Sequence, residues 1–298
     1  MSLFCGHAKI KDNIEIAPGI YHMVLNCPEV AEDAAPGQFI HIRCTDALSP
    51  LLRRPISIAM ADKKEGTVEV IYRVVGQGTR LLAGKKKGQM LDIMGPLGHG
   101  FPIPPWVKHP VIVGGGIGTA PLLFLAESIR EHKLSSAGSP ELSGCEDIMK
   151  TGNSCGKPAK EFIGTVFVGF LTEKEIFGAE LLKDCGFKVE ICTDDGSRGY
   201  KGFPTDLLEM YLNDGPSPSS GKVSPAIDII YACGPSPLLS KVASMASRAK
   251  IPAYVSLEER MACGVGACLG CAVKSADGGY MKICKDGPVF EVSQVTDL

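Results

Sequence analysis

The residues with the clearest chemistry stand near the C-terminus. There Cys263-Gly-Val-Gly-Ala-Cys268-Leu-Gly-Cys271 is followed at a distance by Cys284. A C-x4-C-x2-C run with a distal fourth cysteine is the ligand spacing of a plant-type [2Fe–2S] cluster, and four thiolates suit a soft metal centre. Gly264, Gly266 and Gly270 let the backbone wrap tightly and turn its N–H groups toward sulfur. Zinc also takes four cysteines, but zinc sites usually pair two short C-x2-C arms, and this run is asymmetric. A zinc-stabilised binding module stays open as the alternative.

Four upstream motifs could hold phosphates and rings. Arg53-Arg54-Pro55-Ile56-Ser57 places a guanidinium and a hydroxyl three residues apart. Arg54 can clamp a pyrophosphate bidentately, and the Ser57 hydroxyl can hydrogen-bond a flavin edge. Gly76-Gln-Gly78-Thr79 opens a short helix whose free N–H groups suit a second phosphate contact. Gly114-Gly115-Gly116-Ile-Gly118-Thr119-Ala-Pro121 follows an expected strand and opens a helix, the context that makes a glycine-rich run a dinucleotide site. It departs from G-x-G-x-x-G in either register. No acidic residue ends the next strand, so Gly115, Gly116, Gly118 and Thr119 are expected to form a variant of that site. Cys233-Gly234-Pro235 ends a later strand at a helix start, where the carboxyl ends of parallel strands gather ligands. Cys233 is a candidate wall of a nicotinamide pocket. Thr193-Asp-Asp-Gly-Ser197 reads as a loop, with a cofactor contact as the other reading. His7, His22, His41, His99, His109 and His132 show no metal spacing, and no hydrolytic constellation is found, so no catalytic residue is assigned.

The elements that must position these motifs fall into three regions. Residues 1–103 carry short strand-like runs at 20–26, 38–43, 56–60, 67–74 and 90–94, separated by Gly, Pro and Asp, with one short helix at 78–83. That pattern predicts an antiparallel β-barrel. Residues 104–252 alternate strand and helix four times, which predicts an α/β parallel sheet covered on both faces. A Gly/Ser/Pro/Lys-rich stretch at 135–160 breaks the first crossover and reads as a surface insertion bearing Cys145 and Cys155. Residues 253–298 begin with a strand that completes the sheet, then carry the cysteine segment and two short strands. The fold class is thus α+β multidomain. A net charge of −2 gives no basic field for nucleic acid, and no apolar run is long enough to span a bilayer. Twelve cysteines in a long chain without an export-type N-terminus point to a reducing, cytoplasmic setting. Cys5, Cys27, Cys44, Cys185, Cys192 and Cys233 are scattered and read mostly as small buried hydrophobes.

Taken in order, the Arg54–Ser57, Gly76–Thr79, Gly114–Pro121 and Cys233–Pro235 motifs, the cysteine run and the closing Ile283-Cys284-Lys-Asp-Gly-Pro-Val-Phe290 resemble the ferredoxin–NADP reductase superfamily. Within it they resemble the electron-transfer subunits of type B dihydroorotate dehydrogenase. The resemblance covers nearly the whole chain, and the cysteine segment is its most specific part. It implies FAD in the barrel, NAD(H) at the parallel sheet, and a [2Fe–2S] cluster on Cys263, Cys268, Cys271 and Cys284. It also implies FAD contacts from Arg54, Pro55, Ile56, Ser57, Ile71, Tyr72, Arg73, Gly78 and Thr79. Ile56 stands where the superfamily has an aromatic, and Tyr72 is the candidate for its stacking role. The implied partner is a flavin-containing catalytic subunit that oxidises dihydroorotate to orotate, in a heterotetramer of two of each, serving pyrimidine synthesis. Electrons would pass singly through the cluster to FAD and leave as hydride on NAD+. Met261 and Val265, expected to be exposed, would face that partner. Subunits of NADH-dependent ferredoxin:NADP oxidoreductase and of sulfide dehydrogenase share the pattern and stay open.

Overall fold

The structure is a computed structural model that describes residues 3–136, 163–213 and 226–296. Six antiparallel strands close a barrel: β1 (Phe4–Ala17), β2 (Ile20–Asn26), β3 (Phe39–Ile42), β4 (Arg54–Asp62), β5 (Thr67–Arg73) and β6 (Met90–Leu97), in the order β1-β2-β5-β4-β3-β6. The sequence reading finds five of them and misses β1. In that strand Ala8 and Ile10 point inward, but Lys9, Lys11, Asp12, Asn13 and Glu15 swamp the apolar signal. It also misses α1 (Pro28–Asp33), a six-residue helix opened by a proline.

The helix that follows β5 is α2 (Gln77–Ala83). Its C-terminal end is held by one side chain from β1. Asn13 Nδ2 lies within hydrogen-bond distance of the carbonyls of Leu82 (2.9 Å), Ala83 (3.4 Å) and Lys85 (3.0 Å), and its two N–H groups serve this cluster of carbonyls at and just beyond the helix end. Asn13 Oδ1 accepts from the Tyr72 hydroxyl at 3.0 Å.

The second sheet runs β10-β9-β8-β7-β11-β12-β15. Its members are β7 (Pro110–Gly115), β8 (Gly164–Phe170), β9 (Phe187–Thr193), β10 (Tyr200–Lys201), β11 (Ile229–Cys233), β12 (Ala253–Ser256) and β15 (Val289–Glu291). All neighbours are parallel except β15, which pairs antiparallel to β12. Every residue of β8 is buried, as in a strand covered on both faces. The covering helices are α3 (Thr119–Ser136), α4 (Ala179–Asp184), α5 (Pro204–Asn213) and α6 (Ser236–Ala249). Ile112 of β7 packs with α3 on one face, and Val111 and Val113 pack with α5 and α6 on the other. Of the insertion expected at 135–160, Ser135 and Ser136 end helix α3, and the rest, with Cys145 and Cys155, lies outside the described residues.

The chain then leaves the sheet for the cysteine segment, a hairpin of β13 (Ala272–Lys274) and β14 (Tyr280–Lys282), and the single turn α7 (Ile283–Asp286). β15, unforeseen in the sequence, brings the chain back to the sheet edge. The sheet therefore extends beyond residue 252 and encloses the cysteine segment between two of its own strands. A single core joins all three regions. Phe39 and Leu97 from outside the barrel, Val113 and Ile230 from the sheet, and Met261, Cys271, Ile283, Cys284 and Phe290 from the C-terminal part pack together. Among the described residues no helix is long and apolar enough to cross a membrane.

Replacing Asn13 with Ala removes a partner from several helix-end carbonyls and from a buried tyrosine hydroxyl. Asn13→Ala is expected to lower stability by about 2 kcal/mol, read as an earlier urea transition of the barrel. An unchanged transition would show that these bonds contribute nothing net.

Candidate functional site

The four cysteines come together as two pairs. Cys268 is the thiol that acts on Cys263, and Cys271 the one that acts on Cys284, which also feels the charge of Cys263. Two pairs are what a two-iron cluster needs, because each iron takes two thiolates and shares bridging sulfides with the other. Among the described residues no three His, Cys, Asp or Glu side chains are grouped as a single metal ion would require.

Backbone amides surround the sulfurs. Val265 N–H and Ala267 N–H donate to Cys263 Sγ at 3.5 and 3.3 Å, Gly266 N–H to Cys284 Sγ at 3.1 Å, and Cys284 N–H to Cys271 Sγ at 3.4 Å. Left-handed backbone at Gly264 (φ 72°) and Gly266 (φ 79°) produces this wrapping. The third left-handed position is Leu269 (φ 58°) and not Gly270. The amides act as a positive cradle. Burial acts to raise the Cys263 pKa, but the N–H groups of Val265, Cys268 and Ala267 and the Cys268 thiol outweigh it and bring it down to about 6. Burial, with the Cys271 thiol, pushes Cys284 up to about 12. An amide cradle favours thiolate, the form that ligates iron. The donor set and its polarity fit an iron–sulfur cluster on Cys263, Cys268, Cys271 and Cys284.

The surface of this loop differs from the expectation in one respect. Val265 is exposed, but Met261 is buried in the shared core. The exposed apolar neighbours are Leu269 (62%) and Tyr280 (70%).

On the barrel, the two phosphate-type motifs meet. Arg54 lies across Gly78: a Cβ on Gly78 would stand 2.7 Å from Arg54 Nε, so only glycine allows this approach. Arg53 has a different role. Its guanidinium donates to both Asp92 carboxylate oxygens (2.8 and 2.7 Å) and to the Asp92 carbonyl (3.0 Å), tying β4 to β6 and leaving Arg54 as the guanidinium at the motif. The Thr79 hydroxyl is engaged within its own turn, accepting from Val75 N–H and Gly76 N–H. Pro55 and Ser57 are half-buried, whereas Ile56, Ile71 and Tyr72 belong to the barrel core. The Tyr72 ring stacks on Tyr21 with centroids 5.8 Å apart and is 3% exposed, so it has no free face on which a flavin could stack. Arg73 pairs with Glu175 at 2.7 Å, linking the barrel to the turn after β8.

That ion pair borders a cavity of about 510 Å³ at the carboxyl ends of the parallel strands. Gly115, Gly116, Gly118, Gly234 and Pro235 line it, as expected. Here two turns touch backbone to backbone: a Cβ on Gly118 would stand 2.6 Å from the Cys233 carbonyl oxygen. Thr119 is fully buried behind the glycines, and its hydroxyl has no hydrogen-bond partner. Cys233 is buried rather than part of the wall, and burial pushes its thiol up to about 12. Of the scattered cysteines, Cys5 alone is exposed. The sequence reading leaves Asp194 undecided and misses Lys241, Phe203 and Glu258, all on the cavity wall. Glu258 opens to solvent, yet the protein packed round it pushes its carboxyl up. Its place just beyond the end of β12 is the signal that could have found it.

A family model described as the iron-sulfur cluster binding domain of dihydroorotate dehydrogenase B matches residues 258–296. A second, described as an oxidoreductase FAD-binding domain, matches residues 7–101. The dihydroorotate dehydrogenase B (NAD(+)) electron transfer subunit of Desulforamulus reducens is 35% identical, over 97% of this chain and 97% of its own length. That of Bacillus velezensis is 36% identical over 97% and 98%. Among solved structures, the NADH-dependent reduced ferredoxin-NADP oxidoreductase superposes with a TM-score of 0.75 at 26% identity, over 97% of this chain and 90% of that one. A ferredoxin NADP+ reductase from Neisseria gonorrhoeae gives 0.56 at 16%, over 83% and 92%, a likeness of fold.

The cysteine loop can be tested by one methyl group. Gly264→Ala forces an L-residue into left-handed backbone and sets a Cβ 2.6 Å from His41 Nδ1. Iron and sulfide content per chain should fall severalfold while bound flavin stays near the wild-type level; equal loss of both, or of neither, would contradict the assignment. The two family models fall on the barrel and on the segment bearing those four cysteines, and the relatives align from end to end, so this chain belongs to the family of dihydroorotate dehydrogenase B electron-transfer subunits, FAD and iron–sulfur oxidoreductase proteins.

Proposed function

We propose that this chain carries electrons from a dihydroorotate-oxidising, flavin-containing partner subunit to NAD+, in a cytoplasmic complex of two of each that serves pyrimidine synthesis. When bound, a [2Fe–2S] cluster supplies one-electron transfer and FAD supplies the conversion between single electrons and hydride. The observation that carries the reading is adjacency: the amide-lined cysteine pairs, the Arg54–Gly78 cradle and the glycine-walled cavity are parts of one packed body.

The chain's own residues have distinct tasks in this reading. Cys263, Cys268, Cys271 and Cys284 hold the cluster, and the amides of 265–267 stabilise their thiolates. Arg54 clamps the FAD pyrophosphate, Gly78 keeps the space for it, and Pro55 and Ser57 contribute the half-buried start of β4. Backbone at Ile56, Ile71, Tyr72 and Thr79 completes the contact, since their side chains are buried or engaged. Arg73 and Glu175 stand between the flavin strand and the cavity. Gly115, Gly116, Gly118, Thr119, Cys233, Gly234 and Pro235 shape the NAD(H) site, the glycines by letting the dinucleotide approach backbone. Val265, Leu269 and Tyr280 form the exposed apolar surface on which the partner would sit.

A second reading has one specific observation in its favour. The likeness to the NADH-dependent reduced ferredoxin-NADP oxidoreductase extends over 97% of the chain, so a ferredoxin-linked partner is the alternative.

The deciding experiment is anaerobic reconstitution with the dihydroorotate-oxidising subunit encoded by the same genome. Dihydroorotate-dependent appearance of NADH that needs both chains is expected. Reduction of NAD+ by reduced ferredoxin, with none by dihydroorotate, would select the alternative. Arg54→Gln should weaken FAD binding about ten- to a hundredfold, the loss of a charge-assisted phosphate contact. Arg53→Gln should instead lower stability, because Arg53 holds Asp92. Equal FAD affinity in Arg54→Gln and wild type would remove Arg54 from the site.

A further inference from the structure

One buried polar side chain belongs to neither the FAD motif nor the cavity wall. Strand β3 turns Ile40 and Ile42 into the barrel core and Phe39 into the shared core outside it. His41 lies on the outer side with Phe39, their rings 6.4 Å apart and nearly perpendicular. It is 0% exposed, and neither of its ring nitrogens has a hydrogen-bond partner. Buried polar groups are nearly always paired, and an unpaired imidazole N–H is costly to keep. The barrel does not account for it. Arg53, the polar neighbour, donates to the His41 backbone carbonyl and to Asp92, not to the ring.

The other neighbour of the ring is the cysteine loop. His41 Nδ1 would be 2.6 Å from a Cβ on Gly264, so ring and loop backbone are in direct contact. Gly264 lies between Cys263 and the three amides that point at thiol sulfurs. Along the ladder, His41 is the direct partner of Pro55 on the adjacent strand β4. The ring is therefore the meeting point of the strand next to the flavin motif and the loop of the iron–sulfur ligands.

We propose that His41 donates a ring N–H to a sulfur of the cluster held by this loop, and so seats the loop on the barrel and raises the cluster's reduction potential. This deepens the cluster reading and rests on it. Sulfur is the acceptor because it is what the loop gathers: the neighbouring amides already donate to sulfur. A hydrogen bond to cluster sulfur favours the reduced, more negative state, hence a higher potential. The donor is a neutral ring. Burial, then the charges of Arg53 and Arg54, bring its pKa down to about 4, leaving one N–H and one bare nitrogen. His41 touches no reacting atom in this account and is a positioning residue.

The test uses the complete complex with isotopically labelled histidine nitrogen, reduced and examined by pulsed EPR. A histidine nitrogen coupling to the cluster spin is expected in the wild type and should disappear in His41→Gln, whose unlabelled amide keeps a donor. Redox titration followed by EPR gives the second readout. His41→Phe should shift the midpoint negative by about 59 mV, a tenfold change in a one-electron equilibrium, and His41→Gln should recover most of it. A wild-type iron signal without histidine coupling, or a His41→Phe midpoint equal to wild type, would overturn the proposal. Absence of any reduced iron signal in the wild type would instead defeat the cluster reading. The labelled wild-type spectrum requires no variant to fold.

Discussion

Everything at the site depends on one shared core. Met261, Cys271, Ile283, Cys284 and Phe290 pack against Phe39 and Leu97 of the barrel and against Val111, Val113, Ile230 and Val255 of the sheet. Two of the four clustered cysteines are thus themselves core residues. A loop rich in glycine has little propensity to order itself. Its shape comes from this burial, at about 1.5–3 kcal/mol for each large apolar side chain removed from water. β15 adds to it. By returning to pair with β12, with its Val289 and Phe290 buried, it anchors both ends of the cysteine segment to one sheet.

Within that frame the chain uses two kinds of positive group. At the cysteines and at the glycine-rich turn after β7 they are backbone N–H groups, made available by residues without a Cβ. At the barrel it is a guanidinium. The difference follows the chemistry of the ligand sets. Thiolate sulfurs and the helix-start turn are reached by backbone that can fold tightly round them, whereas on the barrel backbone is open only on one edge of Arg54–Ser57 and Ile71–Arg73, where β4 and β5 separate. The positive charge there has to come from a long side chain. Arg53 and Arg54 are adjacent and chemically identical, yet strand alternation sends one to Asp92 and the other across Gly78.

Local patterns made much of this legible in the sequence. The cysteine spacing, the glycine run between strand and helix, and the strand–helix alternation are short-range signals, and the chain folds accordingly. What was not legible depends on contacts distant in sequence. β1 carries too many polar residues to read as a strand until β2 and β6 pair with it. Met261 looks like an exposed neighbour of the cluster because nothing local tells that the shared core takes it. Tyr72 looks like a flavin platform until Tyr21 and Asn13 are seen to occupy it. Glu258 and Lys241 reach one cavity from elements that have no sequence relation to the glycine turn. His41, without metal spacing, carried no signal at all. Its interest lies wholly in being buried, unpaired and against Gly264.

The cysteine loop therefore has two faces with opposite character. Its inner face is dry and specified: Gly264 against His41, Cys271 and Cys284 in the core, amides fixed on sulfur. Its outer face presents Val265, Leu269 and Tyr280 to solvent. Leu269 is the informative residue. It holds a left-handed backbone conformation that costs an ordinary L-residue about 1–2 kcal/mol and that its neighbour Gly270 would adopt freely. Strain of this kind persists where the surroundings over-determine it, and it clusters at functional sites. A leucine in that position adds exposed apolar area beside the cysteines. In the proposed function this is what the arrangement requires. The inner face fixes the cluster against the flavin strand once, in folding, and the outer face stays apolar and accessible for the subunit that delivers the electrons.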